Sequence, residues 1–191
     1  MRFFNLCIVL VLLSSCMISC EKAAKNSRSG PRKLEILFLG HDSEHHNSAV
    51  YLPLLASTLS KEGINFTYTN NPSDLTDDNL NKYDGLMIYA NHEKITPEQE
   101  KALLGFVEKG RGFIPVHCAS FCFQNSPDYI SLVGGQFLNH KTDSFTVDII
   151  KKDHPIVQSL QEFETWDETY VHDKLGKDIT VLMERVEDNH R

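Results

Sequence analysis

Three apolar runs in this chain have the length of buried β-strands, and each leads into histidine: LEILFLGHDSEHH (34–46), YDGLMIYANH (83–92) and GFIPVHC (112–118). Unbroken apolar runs of this kind belong to a parallel sheet covered on both faces, where neither side of a strand meets water. Helical patterns lie between them. Leu52, Leu55, Ala56 and Leu59 mark one face of a helix over 49–62, with Pro53 in its first turn and Gly63 as its stop. INFTYT (64–69) reads as a strand and 76–82 as a short helix. Thr96-Pro97-Glu98-Gln99 is a helix start, with Thr as N-cap, Pro at the first position and Gln three after the cap. Ala102, Leu103, Phe106 and Val107 form that helix's buried stripe, and Gly110 ends it. Pro115, within the strand 111–117, points to a bend or a local edge. Residues 127–133 read as one or two helical turns.

The β-α-β-α-β-α-β order predicts an α/β fold: a three-layer α/β/α sandwich on a mostly parallel sheet with right-handed crossovers. After Gly135 the pattern turns β-rich, with strands expected over 144–152, 163–171 and 178–186. No helix follows the last of these, so the domain is expected to be incomplete at its C-terminal end.

A formal charge of −7 argues against a nucleic-acid partner, which would want a basic face. Arg2 is the only charge before Glu21, and the apolar run between them has the length of a secretory h-region, short for a transmembrane helix. Leu13-Ser14-Ser15-Cys16 looks like a bacterial lipobox, with Met17-Ile18-Ser19-Cys20 as a second candidate. The expected organisation is a signal peptide over 1–15 (or 1–19), a polar tether over 16–33 and a folded domain over 34–191. The domain would be exported and lipid-anchored through Cys16 or Cys20, facing the periplasm or the cell surface. Only Cys118 and Cys122 fall inside it, so it is not a disulfide scaffold.

In an open parallel sheet, ligands bind beyond the carboxyl ends of the strands. The three histidine-bearing ends therefore predict a site on one rim. His41, Asp42, Glu44, His45 and His46 follow the first strand. Such imidazole and carboxylate groups bind zinc or manganese or move protons, although a solvated loop also collects them. His92 follows the second strand beside Asn91 and Glu93. His117 ends the third, before the small residues Ala119 and Ser120, where a strand-to-helix turn presents one side chain as a nucleophile elbow does. Cys118 is the alternative nucleophile, but neighbours on a turn point apart and only one takes the tip. In WDETYVH (166–172), alternation puts Trp166, Glu168, Tyr170 and His172 on one face. Rings beside a carboxylate and an imidazole suit a sugar. His140 adds an imidazole in an expected loop, while His154 before Pro155 belongs to a turn.

Taken together, GHDSEHH, IYANH, FIPVHCASFCF, GGQFLNH, DHPI and WDETYVHDK resemble the trehalose-utilisation (ThuA-like) family over about residues 34–191. The resemblance implies a flavodoxin-like sandwich similar to that of class I glutamine amidotransferases. Those enzymes keep a cysteine at the elbow; here His117 holds that place, with Cys118 one step on, which speaks against glutamine hydrolysis. The resemblance also implies carbohydrate metabolism linked to trehalose and to glycosides oxidised at the 3-position. The positions matching its motif are His46, His92, His117, Glu168, His172 and His140.

The expectation is thus an exported domain acting on a sugar or 3-keto-glycoside by His/Glu acid-base chemistry, as a lyase, isomerase or hydrolase. His117, Glu168 and His172 are the candidate catalytic residues; Asn91, Trp166, Tyr170 and His140 are the candidate substrate contacts. His46, His92 and His117 are candidate ligands of a divalent metal, zinc or manganese. The expected partners are a small carbohydrate and a membrane reached through the lipid anchor. The alternatives are a non-catalytic sugar-binding lipoprotein and a Cys118-dependent hydrolase.

Overall fold

The computed structural model describes residues 32–43 and 45–186. The expected signal peptide, Cys16, Cys20 and nearly all of the tether lie outside the described residues, as do Glu44 and His190.

Four strands form a parallel sheet: β1 (Leu34–Gly40), β2 (Ile64–Thr69), β3 (Gly85–Tyr89) and β4 (Gly112–Pro115), in the order β2-β1-β3-β4. This is the flavodoxin-like order, and its switch point lies between β1 and β3. β1 is buried on both faces and β3 on one, with Met87 and Tyr89 half-buried on the other, which is why both read as unbroken apolar runs. Leu37, Phe38, Leu39, Leu86, Ile88 and Ala90 are all buried. β4 is an edge strand, and Pro115, having no N–H to give, sits in it without breaking a ladder on both sides.

Helices α2 (Asp77–Leu80), α3 (Pro97–Glu108) and α4 (Pro127–Val133) cover one face. There Leu80, Ala102, Leu103, Phe106 and Tyr129 pack with Leu37, Leu39, Leu86 and Ile88. α1 (Leu52–Leu59) packs against β2. The expected stripe Leu52, Leu55, Ala56 and Leu59 is its less exposed side, with 3-10 turns extending the helix at both ends over 48–62. The capping box of α3 is formed: Gln99 N–H donates to Thr96 Oγ1, and Thr96 N–H donates to Gln99 Oε1 at 2.9 Å.

At the amino end of the sheet, Asp84 ties three strand starts together. Its carboxylate accepts from Arg32 Nη1 at 2.9 Å, from Arg32 Nη2, from Glu35 N–H at 2.9 Å and from Arg111 Nη1 at 3.2 Å.

Beyond α4 the architecture changes. β5 (Gln136–Ile149), β6 (Phe163–Asp173) and β7 (Met183–Val186) form a separate antiparallel sheet in the order β6-β5-β7. β5 begins eight residues before the expected Ser144, so His140 lies on a strand and not in a loop. The polar run NHKTDS hides this strand, because exposed residues on both faces leave no apolar alternation. β7 is shorter than the expected 178–186. Gly134 makes the turn from α4 into β5, ending the helix in the left-handed region at φ 94°.

Candidate active site

Beyond β1 the chain doubles back on itself. His41 N–H donates to Ser48 Oγ at 2.7 Å, Ser48 Oγ donates back to His41 O at 3.0 Å, and His46 N–H donates to Ser43 Oγ at 3.1 Å. Asp42 and Asn47 pair across this loop. The closure brings His46 over the end of β3, with its ring 6.4 Å from that of Tyr89.

β4 passes into a 3-10 turn over His117–Phe121, and His117 at the tip has φ 51°. A non-glycine residue held in the left-handed region between a strand and a helix is the backbone of a nucleophile elbow. Histidine tolerates that region better than most residues. The elbow turns Cys118 inward, where it is 1% exposed and burial pushes its thiol up to about 12. Cys122 is buried too, and its Sγ donates to Ala90 O at 2.8 Å. Both thiols are free. A buried thiol held in its protonated form is a poor nucleophile, which counts against the Cys118 hydrolase alternative.

β6 supplies the third wall. Glu168 Oε2 lies 3.1 Å from His117 Nε2, and Glu168 Oε1 lies 3.7 Å from His140 Nε2. His140 reaches the site because β5 pairs it with Tyr170. Tyr170 Oη lies 3.2 Å from His117 Nε2. Burial, and after it the nearby Glu168, push the Tyr170 phenol well above its ordinary range, so it stays protonated. Burial, and after it the neighbouring His117, lower His46, which favours its neutral form.

These residues enclose a cavity of about 300 Å³, at the small end of ligand pockets, which run from roughly 300 to 1,000 Å³. His46, Asn91, His140, Glu168 and Tyr170 line it, with Cys118 at its floor. Asn91 Oδ1 is buried there without a hydrogen-bond partner, as is Glu168 Oε2.

Four expected site residues do not line the cavity: His117, which adjoins it through Glu168 and Tyr170, and His92, His172 and Trp166. His92 points back to the main chain, with Nε2 3.2 Å from Gly40 O, and its ring packs on His41 at 4.8 Å. That engagement keeps it out of the group formed by His46, His117 and Glu168. His172 lies behind the elbow, with Nε2 3.1 Å from Ser120 Oγ. Trp166 shares the face of β6 with Glu168 but is 72% exposed and does not line the cavity.

The sequence reading missed the apolar walls. Phe121 and Phe137 line the cavity, their rings 5.9 Å apart, and Phe137 packs on Tyr170 at 4.5 Å. Tyr89 ends β3 with its ring 5.8 Å from His117 and stacks on Tyr51 at 5.7 Å. The strand-end rule that singled out the histidines applies equally to Tyr89.

The fold is similar to solved structures of two ThuA-like proteins. One, from Bacteroides uniformis, is 21% identical with a TM-score of 0.65, covering 84% of this chain and 71% of that one. The other, from Parabacteroides merdae, is 16% identical with a TM-score of 0.68, covering 82% and 70%. A glutamine amidotransferase from Thermotoga maritima is 11% identical with a TM-score of 0.50, covering 80% and 67%. At these identities the likeness is one of fold. No curated protein matches the chain. The profile of the ThuA family, described as trehalose utilisation, matches residues 35–191, and the chain belongs to that family.

Proposed function

We propose that this domain transfers a proton on a small carbohydrate, a sugar or trehalose-type glycoside oxidised to a ketone. One observation carries the reading: Glu168 stands between His117 at 3.1 Å and His140 at 3.7 Å in an aromatic-walled cavity. A ketone acidifies the C–H beside it. Removing that proton needs a base next to the carbon and a donor or cation at the carbonyl oxygen. His140 is the candidate base, oriented by Glu168 Oε1. Tyr170 lines that space, and His117, whose Nε2 is 3.2 Å from Tyr170 Oη, is the adjacent group able to meet the oxygen. The resulting enediolate either takes a proton back on the neighbouring carbon, an isomerisation, or expels the glycosidic oxygen, an elimination. Phe121, Phe137 and Tyr170 offer ring faces to sugar C–H groups.

The experiment is deuterium incorporation into a panel of 3-keto-glycosides in D2O, followed by NMR. His117→Asn keeps a residue that accepts the left-handed backbone. It and Glu168→Gln are expected to slow exchange by about 10²–10⁴-fold, the usual worth of positioned acid-base groups. Saturable binding without exchange or product would leave a sugar-binding protein instead. The apolar run before Cys16 supports export and anchoring at Cys16 or Cys20. Among the described residues no helix is long and apolar enough to cross a membrane.

A further inference from the structure

We propose that His46, His117 and Glu168 hold a divalent metal ion, Zn(II) or Mn(II), whose remaining position faces the cavity and takes oxygens of the substrate. The proposal rests on the cavity being a carbohydrate site and names what polarises the carbonyl there.

One ligand atom from each of the three side chains lies within 4.8 Å of the others, and the His117–Glu168 pair already stands at 3.1 Å. Around a tetrahedral zinc with bonds of about 2.1 Å, ligand atoms sit about 3.4 Å apart. Small side-chain rotations close the difference. Two imidazoles and a carboxylate are a donor set that zinc takes in catalytic sites, with a position left for water or substrate.

The supports of the three side chains are independent. His46 sits on a loop closed by Ser43 and by the Asp42–Asn47 pair. His117 sits on the elbow. Glu168 sits mid-strand, paired with Thr142. The two oxygens of Glu168 have different surroundings. Oε1 faces His140, whereas Oε2 is buried, with His117 Nε2 at 3.1 Å but no contact of full hydrogen-bond geometry. A buried carboxylate oxygen in that state is costly unless a cation meets it. With the ion on Oε2, Oε1 remains to orient His140, as outer carboxylates orient histidines around metals. An α-hydroxyketone offers two adjacent oxygens, which fits a metal with an open side. His92 takes no part, because its Nε2 is turned to Gly40 O.

The test is titration of the chelator-stripped protein with Zn(II) alone by calorimetry, with elemental analysis after dialysis and melting followed by circular dichroism. One ion per chain and a raised Tm are expected. His46→Ala and the near-isosteric Glu168→Gln should each weaken binding by more than about 100-fold, beyond the 10–100-fold that outer-shell changes cost. His92→Asn should retain the ion. Failure of folded wild-type protein to take up stoichiometric Zn(II) overturns the proposal, as does wild-type affinity in folded His46→Ala or Glu168→Gln. Full deuterium exchange by the stripped protein also removes the metal while leaving the acid-base reading intact. Stoichiometric zinc that depends on His46 and Glu168, in a protein that exchanges no sugar proton, supports the metal and removes the proton-transfer reading.

Discussion

Tyr170 lies nearly flat against His117: the ring centroids are 4.6 Å apart, the planes differ by 26°, and Tyr170 Oη is 3.2 Å from His117 Nε2. One residue belongs to the antiparallel sheet and the other to the elbow at the rim of the parallel sheet. The cavity therefore exists where the two sheets meet. Tyr170 contributes both a ring that shapes the wall and a hydroxyl that touches the elbow histidine.

These two contributions separate on mutation. Tyr170→Phe keeps the ring and removes one hydrogen bond, worth about 0.5–1.5 kcal/mol. Its kcat for proton exchange is expected to fall about 2- to 10-fold with KM little changed. Tyr170→Ala removes the wall as well and should raise KM. Wild-type kinetics in Tyr170→Phe would show that the hydroxyl contributes nothing, and equal kinetics for the two variants that the ring contributes nothing.

His172 meets the elbow through Ser120. Ser120 Oγ donates to His117 O at 3.3 Å, which leaves its lone pairs to accept from His172 Nε2–H at 3.1 Å. Burial, followed by the nearby Arg185, lowers His172 and favours its neutral form. On the proposed function, His172 is a positioning residue that holds the elbow through Ser120. His172→Ala should cost less turnover than His117→Asn, and His172→Gln, which retains a donor, should recover part of the loss. No recovery with Gln, together with a loss as large as that of His117→Asn, would argue for direct contact with the substrate.

The cysteines offer a test of the hydrolase alternative. Cys118 is 1% exposed and Cys122 is 0% exposed, so neither should react with iodoacetamide in the folded protein, while both should react once it is unfolded. Cys118→Ala should retain turnover at a stability cost of about 1 kcal/mol. Rapid alkylation with loss of activity would restore Cys118 as a nucleophile.

Legibility in the sequence follows burial. β1 and β3 are read easily because β1 is buried on both faces and β3 is buried on one and half-buried on the other, so Ile36–Leu39 and Leu86–Ile88 are apolar without a break. His117 is recognisable from a strand running into small residues, although only the structure adds the left-handed φ. β5 is hidden because the stretch 139–144 within it is polar on both faces. Alternation along β6 puts Trp166 on the face of Glu168 but says nothing of distance. Two residues along a strand is about 6.8 Å, and of the neighbours at that step from Glu168, Tyr170 lines the cavity whereas Trp166 does not. His92 lies on the rim as strand order predicts, yet its ring is engaged by a main-chain oxygen, Gly40 O, and no side-chain pattern records such a partner.

At the opposite end of the sheet, Asp84 makes stability depend on acid. The Arg32 guanidinium beside it holds the carboxyl below its ordinary range; partial burial opposes this, and Glu35 N–H and Arg111 reinforce it. The unfolded chain has a normal aspartate, with a pKa of about 3.9. Because the folded value is the lower one, the unfolded state binds the proton first as pH falls. The contribution of Asp84 is therefore complete above about pH 4 and is lost as pH drops through the folded value. Asp84→Ala should lower stability at pH 7 by about 1.5–3 kcal/mol, the worth of hydrogen bonds to a charged group. The gap between wild type and variant, measured by urea unfolding, should narrow progressively below pH 4. It should also shrink with salt, since Arg32 is more than half exposed. A gap that is the same at pH 7 and at pH 3 would mean that Asp84 holds the strand starts through packing alone and not through its charge.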